Sequence, residues 1–589
     1  MQPLPDGFTS IWIVLFLAKD RAGESVAPVF LAIADGQQSK PVIEVSYQDL
    51  LGRQTPPYPT GPTALLVTFD ARDLLGCHRA LGWPAPARVI DLLVEFRVVS
   101  NGRKLPIGPG LRGALLWFGL RSIPALERAR SPEDLRRRLQ AVHGLAHAML
   151  SMLDIGRALL RGRYVCAVAH MEAAGVPVDV ERIARLADGW KALRTEVIDI
   201  IDSDFGVCRD GQFDRNAFVH WLERRRIEWP RTAFGILDLG DDAIRDMARA
   251  HPEVRPLKDV WSMSSRFDPR ALAIGRDGRN RTALQPFSSR TGRNQPSTKA
   301  SILGAPTWAR HLIKPEPGSG LAMIDWQQQE FGIAAALSGD AAMQAAYASG
   351  DPYLALAIAT GAAPPTATAV SHVNLRERYK ACALGMQYGM GAQRLARQIA
   401  RPLADAVTLI HQHRARFRTF WSWLEAVEAE AQLRGAQSSV FGWQLGIDAK
   451  ANPRAIRNFP MQANGAEMLR LACCLVSEAG ITICAPNHDA LLIEAPLRDL
   501  EKAIATTQRL MTEASSVVLD GFELRTAVRV IRAPDRWLEP RGAAVWSAVE
   551  RALAAQSPPA HQRHATCSPV NPRPIYLCVS NEDPGHGSD

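Results

Sequence analysis

Cysteine is scarce and unpatterned. The 589 residues hold nine, and no two fall in the Cys-x-x-Cys or Cys/His spacing that builds a zinc site. That excludes the zinc-finger classes. Cys473 and Cys474 lie in an apolar helical run and read as small core residues, so reduced thiols and an intracellular setting are expected. An apolar run long enough to cross a bilayer is also missing. The segment Ile11 to Ala18 is too short to span, and it lacks the basic flank and small-residue cleavage site of a secretory signal. It reads as a buried strand, and a soluble protein with no membrane contact follows. No internal repeat appears, which excludes solenoid architectures.

What is present is an ordinary globular composition, 47% apolar and 22% charged. A chain this long divides into three or four domains or subdomains. Lys and Arg number 69 against 60 Asp and Glu, a net charge of +9 that suits a polyanionic partner without requiring one. Between Arg255 and Lys299 the arginines 266, 270, 276, 279, 281, 290 and 293 alternate with Gly, Ser and Asn. Such a stretch could neutralise backbone phosphates, or it could be a solvated surface.

Residues 8–100 alternate short apolar runs with turns. Ile11–Leu17, Ala27–Ile33 and Thr63–Thr68 read as strands and Ala71–Leu81 as a helix. From Ser131 to Asp204 the pattern is helical, and 205–310 reads as irregular. A strand–helix unit follows at Leu321–Leu337, then one long helical stretch from Tyr353 to Leu433. Ser438–Gly446 reads as a hairpin, Pro453–Ala479 as a helix and Ile481–Glu494 as strand–turn–strand. The end of the chain is rich in Pro, Ser and His without periodicity, and disorder is expected there.

Two carboxylates stand where they could act together. Asp325 ends an apolar strand just before a helix, and Asp489 lies at the polar tip between two apolar strands. If the two meet, they can hold two hard divalent cations, for which carboxylate oxygens are the suited ligands. Each also has a plainer reading, Asp325 as a helix N-cap and Asp489 as a turn residue. Arg376, Lys380, Leu384 and Tyr388 recur at four-residue intervals, which puts two cations and then an apolar and an aromatic side chain along one helix face. That order suits a triphosphate followed by a nucleobase, and a solvated face grading into core would look alike. Arg454, Asn458 and Gln462 repeat the spacing with long polar donors, the kind that reach minor-groove acceptors or simply face water.

In this order the segments resemble the family A DNA polymerases, the DNA polymerase I group, in a short phage-type form. IDWQQQEFGIAAALSGD resembles that family's motif A, RERYKACALGMQYGM motif B and NHDALLIEA motif C. Thr291-Gly292-Arg293 and FPMQANGAE match further signatures, and the likeness covers about residues 160–540. The resemblance implies an α+β right hand of palm, fingers and thumb, preceded by an RNase H-like exonuclease-type domain. The boundaries it implies are 1–158 for the exonuclease-like domain, 159–289 for the thumb and connecting region, and 290–345 for the first part of the palm. The fingers would take 346–435, the second part of the palm 436–545, and a disordered tail 546–589.

It also implies roles. Asp325 and Asp489 match the metal-binding aspartates, holding two Mg²⁺ ions that Mn²⁺ can replace. Glu330, beside Gln328, matches the residue that crowds the ribose 2′ position. Arg376 and Lys380 match triphosphate contacts, and Leu384 and Tyr388 stand beside the nascent pair. Arg293, Arg454, Asn458 and Gln462 match residues along the duplex, and His488 one near the primer terminus. The expected activity is extension of a primed DNA template from dNTPs by a monomer in the bacterial cytoplasm or nucleoid. A single-subunit RNA polymerase is opposed by Glu330. A decayed polymerase that only binds DNA is the reading from another class.

The departures from the family pattern are specific. Leu384 stands where many members carry Phe or Tyr, Gly332 replaces an Arg, and Ala490 replaces the Glu after the second aspartate. In the N-terminal domain, Leu15 and Leu17 occupy the places of the first two exonuclease acids, and Ala141 that of the third element's aspartate. Asp70 or Asp73 remains as a second-element candidate. One carboxylate cannot hold two Mg²⁺ ions, so a domain without nuclease activity is expected, with no separate 5′-nuclease domain.

Overall fold

A computed structural model describes residues 5–19, 21–37, 41–121, 129–232, 234–258, 267–448 and 450–555. Arg266 and the segment 556–589, expected to be disordered, lie outside the described residues.

Five strands open the chain: β1 (Ser10–Lys19), β2 (Ala27–Asp35), β3 (Ile43–Ser46), β4 (Ala64–Thr68) and β5 (Val89–Asp91). They form one sheet in the order β3-β2-β1-β4-β5, antiparallel from β3 to β1 and parallel from β1 to β5. β1 is apolar at nearly every position because both sheet faces are covered. Trp12, Val14 and Phe16 point into one apolar cluster, and Ile11, Ile13 and Leu15 into another. The first cluster is completed by α1 (Ala71–Ala80). The second is completed by α2 (Leu92–Ser100) and α3 (Pro132–Leu150). α3 begins where the sequence marks a start: Ser131 accepts the Asp134 amide hydrogen, Pro132 fills the first turn, and Glu133 and Asp134 face the positive end of the helix dipole.

α4 (Ile155–Ala174) joins this domain to the rest of the chain. It lies so near β5 that a Cβ on Gly162 would sit 1.9 Å from the Val89 carbonyl oxygen. Buried Glu95 on α2 and Arg161 on α4 form a two-pronged ion pair, at 2.7 and 2.6 Å, across the same seam.

Past α4 the region expected to be irregular contains the helices Arg215–Arg225 and Asp241–Ala250. They share an apolar cluster built on Phe218, Trp221, Trp229 and Met247. Short helices interleaved with Arg, Gly and Pro carry a weak periodic signal, which is why the sequence reads as loop here.

The central sheet is antiparallel, made of β6 (Ser319–Trp326), β7 (Thr482–Asn487), β8 (Ala490–Pro496) and β9 (Thr526–Arg532) in the order β7-β8-β6-β9. β6 runs directly into α5 (Gln329–Ser338). The stretch expected as long and helical is divided at Gly361, Gly389, Pro402 and Phe417 into Pro352–Ala359, α6 (Val373–Gln387), Ala392–Gln398, Leu403–Arg416 and Arg418–Arg434. α6 stops at a glycine cap. Gly389 takes φ +64°, and the Met390 amide hydrogen returns to the Gly385 carbonyl. α7 (Pro453–Glu478) and the helix Leu500–Val518 cover one face of the central sheet. The helices Trp190–Asp202 and Ala543–Ala555 cover the other. The last of these corrects the expected tail boundary. Residues 546–555 are helix, with Trp546, Val549, Ala552 and Leu553 buried. Among the described residues no helix is long and apolar enough to cross a membrane.

Candidate active site

Asp325 is the penultimate residue of β6, in register with Ala490 on β8 and Ala527 on β9. The cap of the following helix is Gln328, so the N-cap alternative for Asp325 falls. Asp489 follows His488 in the two-residue turn between β7 and β8, where His488 takes a left-handed φ of +59°. Strand pairing therefore carries both aspartates to the same end of the sheet. Their carboxyl groups meet there. Burial first, then the Asp489 charge and a hydrogen bond to it, push the Asp325 carboxyl up to about 7. Asp325 Oδ1 is buried with no hydrogen-bond partner among the described residues. A carboxyl pair that repels itself and leaves a buried oxygen unmatched is suited to a divalent cation. Those two side chains would hold it.

Glu330, in the first turn of α5, accepts a hydrogen bond from the Tyr388 hydroxyl and lies 3.8 Å from Arg293. Burial raises its pKa, and the Tyr388 hydrogen bond and the Arg293 charge oppose that rise. Gln462 on α7 also hydrogen-bonds Tyr388. The structure thus joins Arg293, Glu330, Tyr388 and Gln462 into one polar group beside the aspartates. Gln328 caps α5 in a left-handed conformation with its own Oε1 unmatched.

Arg376 and Lys380 lie on α6 as expected, but Arg376 is not a free cation. It donates to Asp351 and Glu377, the latter at 2.9 Å, and its guanidinium rests over the Tyr353 ring. Lys380 stands 3.7 Å from Glu377. Asp351 also accepts the Leu354 amide hydrogen as the cap of Pro352–Ala359. The Asp-Pro pair reveals that cap in the sequence, whereas its bond to Arg376 has no local signal. Leu384 is half-buried against the main core. Gly332 has a packing reason, because a Cβ there would meet Leu524 at 2.4 Å and Tyr347 at 3.1 Å. Arg454, Asn458 and Gln462 share one face of α7. Arg454 is exposed against Gly389, and Asn458 Oδ1 is unmatched. His488 is exposed at the hairpin tip.

The basic stretch is not one phosphate-facing strip. Arg279 is engaged by Glu316 and Glu494, and Arg281 by Asp277 and the Ala173 carbonyl. Arg270 pairs with Asp268. In the N-terminal domain Leu15, Leu17 and Ala141 come together in one apolar cluster between the sheet and α3. Asp91 is buried and accepts backbone N–H groups of Asp70, Ala71 and Leu93. Its role is to cap α2 and fix the end of β4.

Residues 266–536 match the family model described as DNA polymerase family A. This part of the chain is similar to that family. Curated proteins are similar as well. The thermostable DNA polymerase I of Thermus thermophilus is 27% identical over 378 residues, 59% of this chain and 44% of that protein. DNA polymerase I of Mycobacterium bovis is 26% identical over 375 residues, 58% of this chain and 41% of that protein. The chain thus spans less than half the length of these relatives. Among solved structures, the POL domain of Pol1 from M. smegmatis, in complex with DNA primer-template and dNTP, superimposes with a TM-score of 0.70. It covers 91% of this chain and 97% of its own length at 21% identity, a likeness of fold. The matched residues include both aspartates, the α6 cations and the Glu330–Tyr388 pair.

Proposed function

We propose that this chain is a DNA-directed DNA polymerase that extends a primer on a DNA template from dNTPs and does not proofread. The observation that carries the reading is the meeting of Asp325 and Asp489 at one end of an antiparallel sheet, with a buried oxygen left unmatched. These two side chains would hold the divalent cations, Mg²⁺ with Mn²⁺ as substitute. When bound, the cations supply a lowered pKa for a 3′-hydroxyl and neutralisation of the triphosphate.

The remaining work belongs to the chain's own groups. Arg376 and Lys380 bind the triphosphate, which displaces Asp351 and Glu377 from them, so nucleotide binding and movement of α6 are linked. Glu330, held by Tyr388 and Arg293, crowds the 2′ position and selects deoxyribose over ribose. Gln328 lies in the same nucleotide pocket, and Leu384 with Tyr388 forms the surface under the incoming base. The donors of Arg454, Asn458 and Gln462 follow the minor groove, whose acceptors are common to all base pairs. His488 stands at the primer end. The absence of proofreading rests on the apolar layer of Leu15, Leu17 and Ala141, where a two-metal nuclease needs converging carboxylates.

Primer extension on a primed DNA template with Mg²⁺ tests the reading, with Asp325→Ala and Asp489→Ala beside it. Extension with dNTPs, lost in both variants and weak with rNTPs, is the expected result. DNA binding without extension, unrescued by Mn²⁺, would replace it with the binding-only reading.

A further inference from the structure

We infer that the N-terminal sheet domain is a working part of the polymerase site, because Asn101 and Arg97 position the loop 285–294 that presents Arg293. The inference rests on the polymerase reading and concerns how one of its DNA contacts is held.

The loop has little regular structure of its own. Gln285 and Phe287 take φ of +47° and +56°, and Gly292 takes +73°. Non-glycine residues hold left-handed backbone only when their surroundings fix it. Two sets of partners do so here. From the central domain, Trp443 Nε1 donates to the Arg290 carbonyl at 2.9 Å and Arg470 to the Gly292 carbonyl at 2.7 Å. Phe287 is gripped between Tyr164, Trp443 and the Arg470 guanidinium.

From the N-terminal domain, Arg97 on α2 donates to the Pro286 carbonyl at 2.8 Å. Asn101, just past α2, spends both amide hydrogens on two segments that the chain separates widely. Its Nδ2 donates to the Arg290 carbonyl at 2.7 Å and to the Gln444 carbonyl at 2.6 Å. Its own carbonyl accepts the Gly446 amide hydrogen at 2.9 Å, so the hairpin and the loop are tied to the same residue. Gly102 lets the backbones approach, since a Cβ there would lie 2.4 Å from the Gly446 oxygen.

The order of contacts is therefore continuous. α2 fixes the Arg290 and Pro286 carbonyls, the loop turns at Gly292, and Arg293 emerges 3.8 Å from Glu330. The side-chain hydrogen bonds of Asn101 and Arg97 go to carbonyls of the loop and the hairpin. Both are positioning residues, and they act through Arg293.

A double-mutant cycle on primed-duplex binding by the full chain tests this, with fluorescence anisotropy at fixed salt and melting temperatures alongside. Asn101→Ala and Arg293→Ala are each expected to weaken binding by about fivefold. The double variant is expected to bind no more weakly than Arg293→Ala alone, since the first change acts only through the second. Asn101→Asp, which keeps the shape but removes both donors, should repeat the result if the alanine variant folds poorly. Additive losses, or wild-type affinity in Asn101→Ala, would overturn the inference. Binding needs no catalysis, so the two readings separate. A wild-type chain that binds but does not extend primers defeats the activity, and additive losses in a chain that does extend defeat the positioning role. No binding of primed duplex by the wild type would overturn both.

Discussion

Asp325 is held in an arrangement that costs stability. Its carboxyl lies buried beside Asp489, and both groups ionised at neutral pH repel each other unless a cation lies between them. Asp325→Asn should therefore melt higher than the wild type in EDTA, by on the order of 1–2 kcal/mol. The same variant should lose primer extension by on the order of a thousandfold or more, several kcal/mol of transition-state stabilisation. A variant no more stable than the wild type in EDTA would show that the pair is not strained. Both aspartates could be read from the sequence, because a strand end and a hairpin tip are local patterns. The partners of Arg376 could not. Asp351 lies 25 residues away, and only the folding of Pro352–Ala359 against α6 brings the two together.

At the scale of the element, the helix Leu403–Arg416 contains a histidine that must remain neutral. His413, in Leu403–Arg416, is fully buried and rings Phe417, Phe420 and Trp421 surround it. Its Nδ1 accepts the Trp421 indole hydrogen at 3.1 Å. Burial first, and the Arg414 charge second, hold its pKa down to about 3. The folded value thus lies below the unfolded one of about 6.5. The stability this group contributes is full above that unfolded value and is lost as pH falls towards 3. Denaturant melts from pH 7 to 4.5 should show the wild type losing up to about 1.4 kcal/mol per pH unit more than His413→Gln, which keeps the acceptor without the titration. Parallel profiles for the two proteins would refute it. Element boundaries were legible where caps are local, as at Ser131-Pro132 and Asn452-Pro453. They were not legible where one helical composition runs through several helices, as in 353–433, because packing rather than propensity places those breaks.

Across the whole molecule, the N-terminal sheet carries Leu15 and Leu17 in the apolar layer beneath α3. A labelled mismatched primer incubated with the pure protein and Mg²⁺ should remain full length. Shortening that survives Asp325→Ala would place a nuclease in this domain after all. The apolar character of Leu15, Leu17 and Ala141 was visible in the sequence, because a side chain's polarity is a local property. The attachment of this domain to the rest was not visible, because Glu95–Arg161 and the Gly162–Val89 contact join positions that carry no shared pattern.

The closeness of α4 to β5 has a bearing on how such a chain can change over generations. Its leucine-filled face tolerates any exchange that conserves volume, so drift there is cheap. At Gly162 even one added methyl group would strike the Val89 carbonyl, and at Glu95 a lost carboxylate would strand a buried guanidinium. Natural selection on this domain would therefore be felt at its borders more than on its apolar face.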